Sequence, residues 1–114
     1  MNFAAKFFAI TLAVVFSSTS ITAPVLRGDD SSSYSIAIKD FAFTPRTLTI
    51  HAGSKVTWTN KDEEPHKVVE VNSAFTSQPL DTDGDFTFLF DTPGTYKYFC
   101  SLHPHMTGTI VVEK

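Results

Sequence analysis

The chain of 114 residues contains one cysteine, two methionines and one tryptophan. A lone cysteine cannot form a disulfide within the chain, so the fold has to be stable without one. Basic residues are outnumbered as well, nine Lys and Arg against twelve Asp and Glu, and the net charge is −3. This charge gives no electrostatic case for nucleic-acid binding. It favours a basic protein partner, because opposite charges steer association over long distances.

Long apolar runs are absent except near the N-terminus. There, Lys6 precedes an apolar stretch at 7–16, and Ser18 and Ser20 suit the −3 and −1 positions of a signal-peptide cleavage site. A stretch of ten residues is too short for a bilayer, which requires about 20 residues; an uncleaved anchor is the alternative. We expect the following organisation: an export signal at 1–20, a flexible polar lead-in at 21–33 and a single domain at 34–114.

After the lead-in, apolar residues do not recur with the spacing of a helix. They recur at every second position instead. Apolar residues alternate with polar ones, as at Val56 and Trp58 or at Tyr96 and Tyr98. The runs are rich in Thr, Val, Ile and aromatic residues, and Gly, Pro, Asn and Asp separate them, which is typical of strands joined by turns. The pattern predicts an all-β, antiparallel sandwich of about seven short strands. The clearest runs lie at 34–39, 47–51, 55–59, 86–90, 95–100 and 108–113.

Two segments outside these runs carry weaker signals. Residues 72–83 have no clear period and are expected to form a long surface connection with at most one helical turn. The charged segment 61–64 is expected to be a solvated loop. Trp58 is expected to lie in the core, because a buried aromatic side chain removes a large apolar area from water.

Metal-ligating side chains gather after the strand expected at 95–100. Cys100, His103 and Met106 fall within seven residues, and His66 lies 34 residues upstream of the cysteine. A free cysteine by itself is commonly a small buried residue, but a thiolate with two imidazoles and a thioether is the ligand set of a blue-copper electron-transfer site. Zinc also accepts Cys and His, yet it normally takes a fourth strong ligand or water rather than a thioether. The combination therefore predicts copper.

Several longer segments are similar to those of a known family. The chain from about residue 36 to 114 resembles the cupredoxins, and within them the small amicyanin- and plastocyanin-like blue copper proteins. The gaps of two residues between Cys100 and His103 and between His103 and Met106 are similar to the amicyanin pattern, whereas plastocyanins usually have a longer second gap. The other segments that carry the resemblance are Phe43-Thr44-Pro45, Leu48-Thr49-Ile50, Gly53 to Asn60, Pro65-His66 and Gly94 to Cys100.

The resemblance implies both a fold and a cofactor. The implied fold is a Greek-key β-sandwich of seven to eight strands, and the implied cofactor is one copper ion per chain that alternates between Cu(I) and Cu(II). His66, Cys100 and His103 are then the equatorial ligands, and Met106 is the axial ligand. The resemblance also implies that His103 lies near the surface, in an apolar patch through which electrons pass.

Two positions depart from the family pattern. Lys67 stands where many relatives have an Asn whose side chain ties the two ligand loops together. We expect the backbone N–H of Lys67 to bond the Cys100 thiolate even without that side-chain tie. His105 stands where amicyanins have an aromatic or apolar residue, and it makes the surface around His103 more polar and sensitive to pH. His105 is also the alternative to His103 as a ligand.

These observations predict a one-electron carrier rather than an enzyme. Copper oxidases and nitrite reductases need further copper centres, and the chain has only four histidines, two of which are already assigned. The expected partners are redox proteins that dock near His103. The carrier is expected to be a monomer in the periplasm, with no membrane span after signal removal. A periplasmic copper-binding or delivery protein without a dedicated electron-transfer role is the alternative.

Overall fold

Eight β-strands make up the regular structure of the described residues. The computed structural model describes residues 13, 15 and 32–114. Most of the export signal expected at 1–20 and most of the lead-in expected at 21–33 therefore lie outside the described residues. The described part of the chain contains no helix, and it therefore has no helix that could cross a bilayer. The strands are β1 (Ser33–Lys39), β2 (Ala42–Thr44), β3 (Thr47–His51), β4 (Ser54–Asn60), β5 (Val68–Glu70), β6 (Asp85–Phe90), β7 (Gly94–Cys100) and β8 (His103–Glu113).

The strands form two four-stranded sheets, with the orders β2-β1-β4-β6 and β3-β8-β7-β5. This arrangement confirms the predicted all-β sandwich, but the sheets are mixed rather than purely antiparallel. β1 pairs with β4 and β3 pairs with β8 in parallel. The reason is the chain path: after the β1–β2 hairpin the chain crosses to the other sheet as β3 and returns as β4. β4 therefore enters the first sheet in the same direction as β1, as a crossover connection requires.

Two strands and one buried loop were not predicted from the period. β2 and β5 have three residues each, which is too short for an alternation to be recognised. The segment expected to be a surface connection instead sends Phe75 and Leu80 into the core, where they are 4% and 2% exposed. A buried carboxylate folds the preceding turn, because Glu70 Oε2 accepts the N–H groups of Asn72 at 2.7 Å and Ala74 at 2.9 Å.

The core is built from aromatic side chains around Trp58, which is fully buried as expected. Its ring lies 5.3 Å from that of Phe75, 5.7 Å from that of Phe86 and 5.4 Å from that of Tyr98. Burial raises the pKa of Tyr98 to about 12, so the phenol stays protonated at neutral pH. Tyr98 shares a face of β7 with Cys100. The aromatic core thus continues directly into the end of the strand that carries the thiol.

Gly108 makes room for the ring of Tyr98. The two residues face each other across the β7–β8 pair, and a Cβ atom on Gly108 would lie 2.3 Å from both Cζ and the hydroxyl oxygen of Tyr98. The ring therefore covers the backbone of the opposite strand, as aromatic residues do beside a strand glycine. This contact fixes β8 close to β7 just beyond Met106.

Gly108→Ala is expected to destabilise the fold, because the added Cβ atom would lie 2.3 Å from the ring and hydroxyl oxygen of the buried Tyr98 and one of the two has to shift. The free energy of unfolding should fall by about 1–3 kcal/mol, the usual effect of overpacking a core. Urea denaturation with the m-value monitored measures this change. Thr107→Ala, at the neighbouring exposed position, serves as the control and should change stability much less. Equal stability of Gly108→Ala and the parent protein would contradict the close approach.

Candidate metal centre

The hairpin between β7 and β8 brings Cys100 and His103 together. Cys100 is the last residue of β7 and is fully buried. A two-residue turn follows, and His103 begins β8 directly opposite Cys100 in the strand pairing. Cross-strand neighbours point to the same side of a sheet, so the register itself turns both side chains toward one point. Cys100 Sγ lies 3.7 Å from His103 Nδ1.

His66 reaches the same point from a separate segment. Its backbone is held by two hydrogen bonds with Leu80, from His66 N to Leu80 O at 3.1 Å and from Leu80 N to His66 O at 2.7 Å. β5 starts two residues later and pairs Val68 with Cys100. The imidazole is fully buried, and its Nδ1 lies 3.5 Å from Cys100 Sγ. The predicted convergence of residues that are far apart in sequence is therefore present.

The spacing of these donor atoms suits one shared ion. The ligand atoms of His66, Cys100 and His103 all lie within 4.8 Å of one another. Bond lengths of about 2.0 Å to nitrogen and about 2.3 Å to sulfur, known from zinc sites, place neighbouring ligands of one ion roughly 3.7 Å apart. The two observed sulfur–nitrogen distances match this separation. A thiol with two imidazole nitrogens is also a donor set that copper accepts.

The two remaining candidate ligands differ in burial. Met106 lies three residues after His103 on β8 and is only 5% exposed. His105 is exposed, and the cluster of donor atoms contains His103 rather than His105. Regular alternation would place His103 and His105 on one face, but the β7–β8 pairing shifts register here, from Phe99 opposite Thr107 to Cys100 opposite His103, and this irregularity interrupts the alternation. The structure thus brings His66, Cys100 and His103 together, with Met106 buried on the same strand, and leaves His105 outside.

Backbone hydrogen bonds join the two ligand segments. The N–H of Lys67 donates to Cys100 Sγ at 3.4 Å, which is the contact expected from the sequence. The N–H of Ser101 donates to the carbonyl oxygen of Lys67 at 3.0 Å. These two bonds form without any contribution from the Lys67 side chain. The loops are therefore tied together even though an asparagine is absent at position 67.

Asp62 fixes the orientation of the His66 ring. Its Oδ2 lies 2.9 Å from His66 Nε2, and because an ionised carboxylate only accepts hydrogen bonds, the ring proton is on Nε2. His66 Nδ1 is then free to present its lone pair toward Cys100. This carboxylate–histidine pair is the arrangement that orients histidine ligands in metal sites.

The ionisation of Asp62 reflects opposing effects. Burial acts to raise the pKa of its carboxyl group, but hydrogen bonds from the backbone N–H of Phe41, the ring of His66 and the backbone N–H of Asp40 outweigh burial and lower the pKa below 3.8. The carboxylate therefore stays ionised at neutral pH and keeps its three hydrogen bonds.

The role of Asp62 was missed from the sequence, where segment 61–64 was expected to be a solvated loop. Asp62 is instead buried, whereas its neighbours Lys61, Glu63 and Glu64 are exposed. The spacing of four residues to His66 was the one available signal. It is weak, because it becomes meaningful only when the loop between the two residues doubles back. His51, the other unassigned histidine, is exposed, and its Nδ1 lies 3.4 Å from the carbonyl oxygen of Lys114 at the C-terminus.

Comparison with known proteins matches these features to one family. A family model described as a cupredoxin-like domain matches residues 7–112. An amicyanin-alpha from Methylorubrum extorquens is 32% identical over an alignment of length 114 that covers 93% of this chain and 96% of that protein. A plastocyanin from Scenedesmus fuscus is 38% identical over an alignment of length 84 that covers 62% of this chain and 86% of the plastocyanin.

Solved structures agree with the sequence matches. A purple cupredoxin from Nitrosopumilus maritimus superposes with a TM-score of 0.66 at 35% identity, and the match covers 70% of this chain and 99% of that one. A copper-containing nitrite reductase from Thermus scotoductus superposes with a TM-score of 0.68 at 26% identity, but the match covers only 22% of that chain. The matches confirm the resemblance inferred from the segments around Cys100 and His66.

Asp62→Asn is expected to destabilise the metal-free protein above pH 3.8, the ordinary pKa of the carboxyl group. A pKa that is lowered in the folded state stabilises the fold above the unfolded-state pKa, and this stabilisation is lost as the pH falls through the lower folded-state value. The difference in unfolding free energy between parent and variant should therefore shrink below pH 3.8. Urea denaturation across a pH series measures it.

Asp83→Asn provides the control for this series, because the side chain of Asp83 is 72% exposed and pairs only with Lys61. The control should follow the parent protein at every pH. A constant difference between Asp62→Asn and the parent from neutral to strongly acidic pH would contradict the lowered pKa.

Proposed function

Because this chain belongs to the cupredoxin family, we propose that it is a type 1 (blue) copper protein that carries single electrons between redox partners. The observation that carries the proposal is the convergence of one thiol and two imidazole nitrogens from two separate segments within 4.8 Å. Amicyanins and plastocyanins, the relatives matched over most of their length, are blue copper electron carriers.

In this proposal, His66 Nδ1, Cys100 Sγ and His103 Nδ1 would hold one copper ion, and the sulfur of Met106 would be its fourth, weaker donor. Bound copper supplies a one-electron couple between Cu(II) and Cu(I). The thiolate contributes a soft donor and the imidazoles contribute nitrogen donors that both oxidation states accept. This ligand set leaves no open position for a substrate.

The surrounding residues hold the ligands in place during electron transfer. His66 is fixed by Asp62 and by its backbone pairing with Leu80. Cys100 is fixed by the strand pairing and by the N–H of Lys67. Ligands that are held in this way do not have to rearrange when the charge of the site changes, and preorganised dipoles do not have to reorient. Ligands that do not rearrange allow rapid exchange of single electrons, which is the function proposed here.

The route for electrons leads through His103 in this proposal. His103 is partly exposed, whereas His66 is fully buried. Two exposed apolar side chains lie near it in space or sequence: Phe41, whose ring centre is 5.0 Å from that of His103, and Leu102, which is 48% exposed. A redox partner that docks at this end reaches the ring edge directly. We propose that the carrier acts as a monomer and that it works after export, in the periplasm.

The histidine count supports a carrier rather than an enzyme. Of the four histidines in the chain, two belong to the cluster, and His51 and His105 are exposed. Copper enzymes need imidazoles for a second centre, and the match to the nitrite reductase covers 22% of that chain. Burial also argues against copper delivery as the main role, because a delivery site has to release its ion readily while His66 and Cys100 are fully buried.

Cys100→Ser is expected to abolish the intense visible absorption of the copper-loaded protein, because the colour arises from charge transfer between thiolate and Cu(II). Copper affinity should fall more than about 100-fold, beyond the 10–100-fold typical of losing an outer partner. Titration with Cu(II), followed by the visible spectrum, measures both. Ser101→Ala is the matched control and should keep the colour.

The same preparation tests electron transfer. The coloured protein should bleach reversibly on one-electron reduction and should exchange electrons rapidly between its Cu(I) and Cu(II) forms, measured by NMR line broadening. A parent protein that binds copper without an intense visible band would refute the proposal. Rapid loss of Cu(I) to a mild acceptor, together with slow electron exchange, would indicate copper delivery instead.

Met106→Leu is expected to retain the visible band while the reduction potential rises. The axial thioether stabilises Cu(II) weakly, and its replacement by a hydrocarbon removes that donor from a hydrophobic position. Spectroelectrochemical titration measures the potential. A colourless Met106→Leu variant would show that the residue is needed to hold copper at all and would contradict the weak axial role.

A further inference from the structure

The β1–β2 hairpin turns through two residues with an unusual backbone. Lys39 pairs with Ala42, so Asp40 and Phe41 are the two central residues of the turn. Their φ angles are +53° and +56°, which is the pattern of a type I′ turn, where Asn-Gly and Asp-Gly are preferred. A bulky residue in this left-handed region is disfavoured by about 1–2 kcal/mol. A phenylalanine at this position is therefore strained, and local strain of this kind is concentrated at functional sites.

A single carboxylate holds the strained turn against the metal centre. Asp62 Oδ1 accepts the N–H of Asp40 at 2.7 Å, and Asp62 Oδ2 accepts the N–H of Phe41 at 3.0 Å. The same Oδ2 accepts Nε2–H of His66 at 2.9 Å. Hydrogen bonds to an ionised acceptor are roughly twice as strong as neutral ones. The position of the turn is thereby coupled to the position of the His66 ring.

The ring of Phe41 packs nearly perpendicular to both imidazoles. Its centre is 5.4 Å from that of His66 and 5.0 Å from that of His103, with an angle of 82° between the ring planes in each case. Edge-to-face contacts at such distances are favourable. Phe41 nevertheless remains 49% exposed, so it is not simply buried in the core. The side chain is therefore in contact with both histidine rings and with solvent.

We propose that Phe41 is an aromatic cover of the metal centre, held over His66 and His103 by Asp62. It is a positioning residue: it restricts the motion of both imidazoles and limits the access of water and small reagents to Cys100. Its effect on bound copper rests on the function proposed above. Its effect on access to the thiol is a property of the metal-free protein and does not depend on that function.

A purely structural role for Phe41 leads to a different expectation. If the side chain only stabilised the hairpin, its removal would lower the stability of the fold. Glycine, however, adopts positive φ without penalty and is the preferred residue at this point of a type I′ turn. Phe41→Gly therefore removes the cover while it relieves the backbone strain. Stability and access to the thiol are expected to change independently in this variant.

The test measures alkylation of Cys100, the single cysteine, by iodoacetamide in the metal-free protein. Phe41→Gly should be alkylated about tenfold faster or more, because exposing the thiol then requires less local opening. Its urea midpoint should not fall below that of the parent protein. Phe41→Trp should restore slow alkylation. Leu89→Ala, at another exposed apolar side chain (42% exposed) on β6, is the matched control and should behave as the parent.

Phe41→Asn is the second variant, since asparagine also tolerates the left-handed conformation. If both Phe41→Gly and Phe41→Asn keep the parent alkylation rate, or if both lose stability so that global unfolding accounts for the faster reaction, the cover does not exist. With copper bound, both variants should lose the visible band to a chelator faster than the parent. A parent protein that never develops that band overturns the proposed function while the alkylation result stands.

Discussion

The pairing of two ligand segments at the end of β7 is the constraint on which the site depends. Cys100 is paired with Val68 on one side and with His103 on the other, so its side chain is fixed by two neighbouring strands. The N–H of Lys67 and that of Ser101 close the remaining gap between the segments. Because hydrogen-bonded strands hold a constant spacing, the strand pairing itself brings the donor atoms close together.

Asp62 extends this order from the ligands to the surface. One buried carboxylate accepts hydrogen bonds from His66 and from the Asp40–Phe41 turn, and the backbone N–H of Asp62 itself donates to Asn60 Oδ1 at 2.8 Å. A partly satisfied polar network inside a protein is unfavourable. In this network both carboxylate oxygens of Asp62 accept hydrogen bonds. As a result, the His66 ring and the Asp40–Phe41 turn, with its exposed Phe41 side chain, are linked through the Asp62 carboxylate.

Much of this molecule could be predicted from particular residues. The alternation through Val56, Trp58 and Tyr98 indicated strands with a buried face, and these residues are in the core. The sequence placed Cys100 and His103 close together at the end of one strand, and in the structure they lie opposite each other across the β7–β8 pair. The burial of Phe75 was not predictable in the same way, because its segment has no period and its position depends on a turn folded by Glu70.

The sequence by itself indicated the class of the fold and the four candidate ligands, because these follow from local period, from spacing and from the donor chemistry of the side chains, and its resemblance to the cupredoxins indicated the family. Only the tertiary structure decided the parallel pairing of β1 with β4, the burial of Asp62 and the place of Phe41 over His66 and His103. The physical reason is distance along the chain. Asp62 lies 21 and 22 residues from the two turn amides that it binds, and no local pattern records a contact that arises only when separate segments pack together.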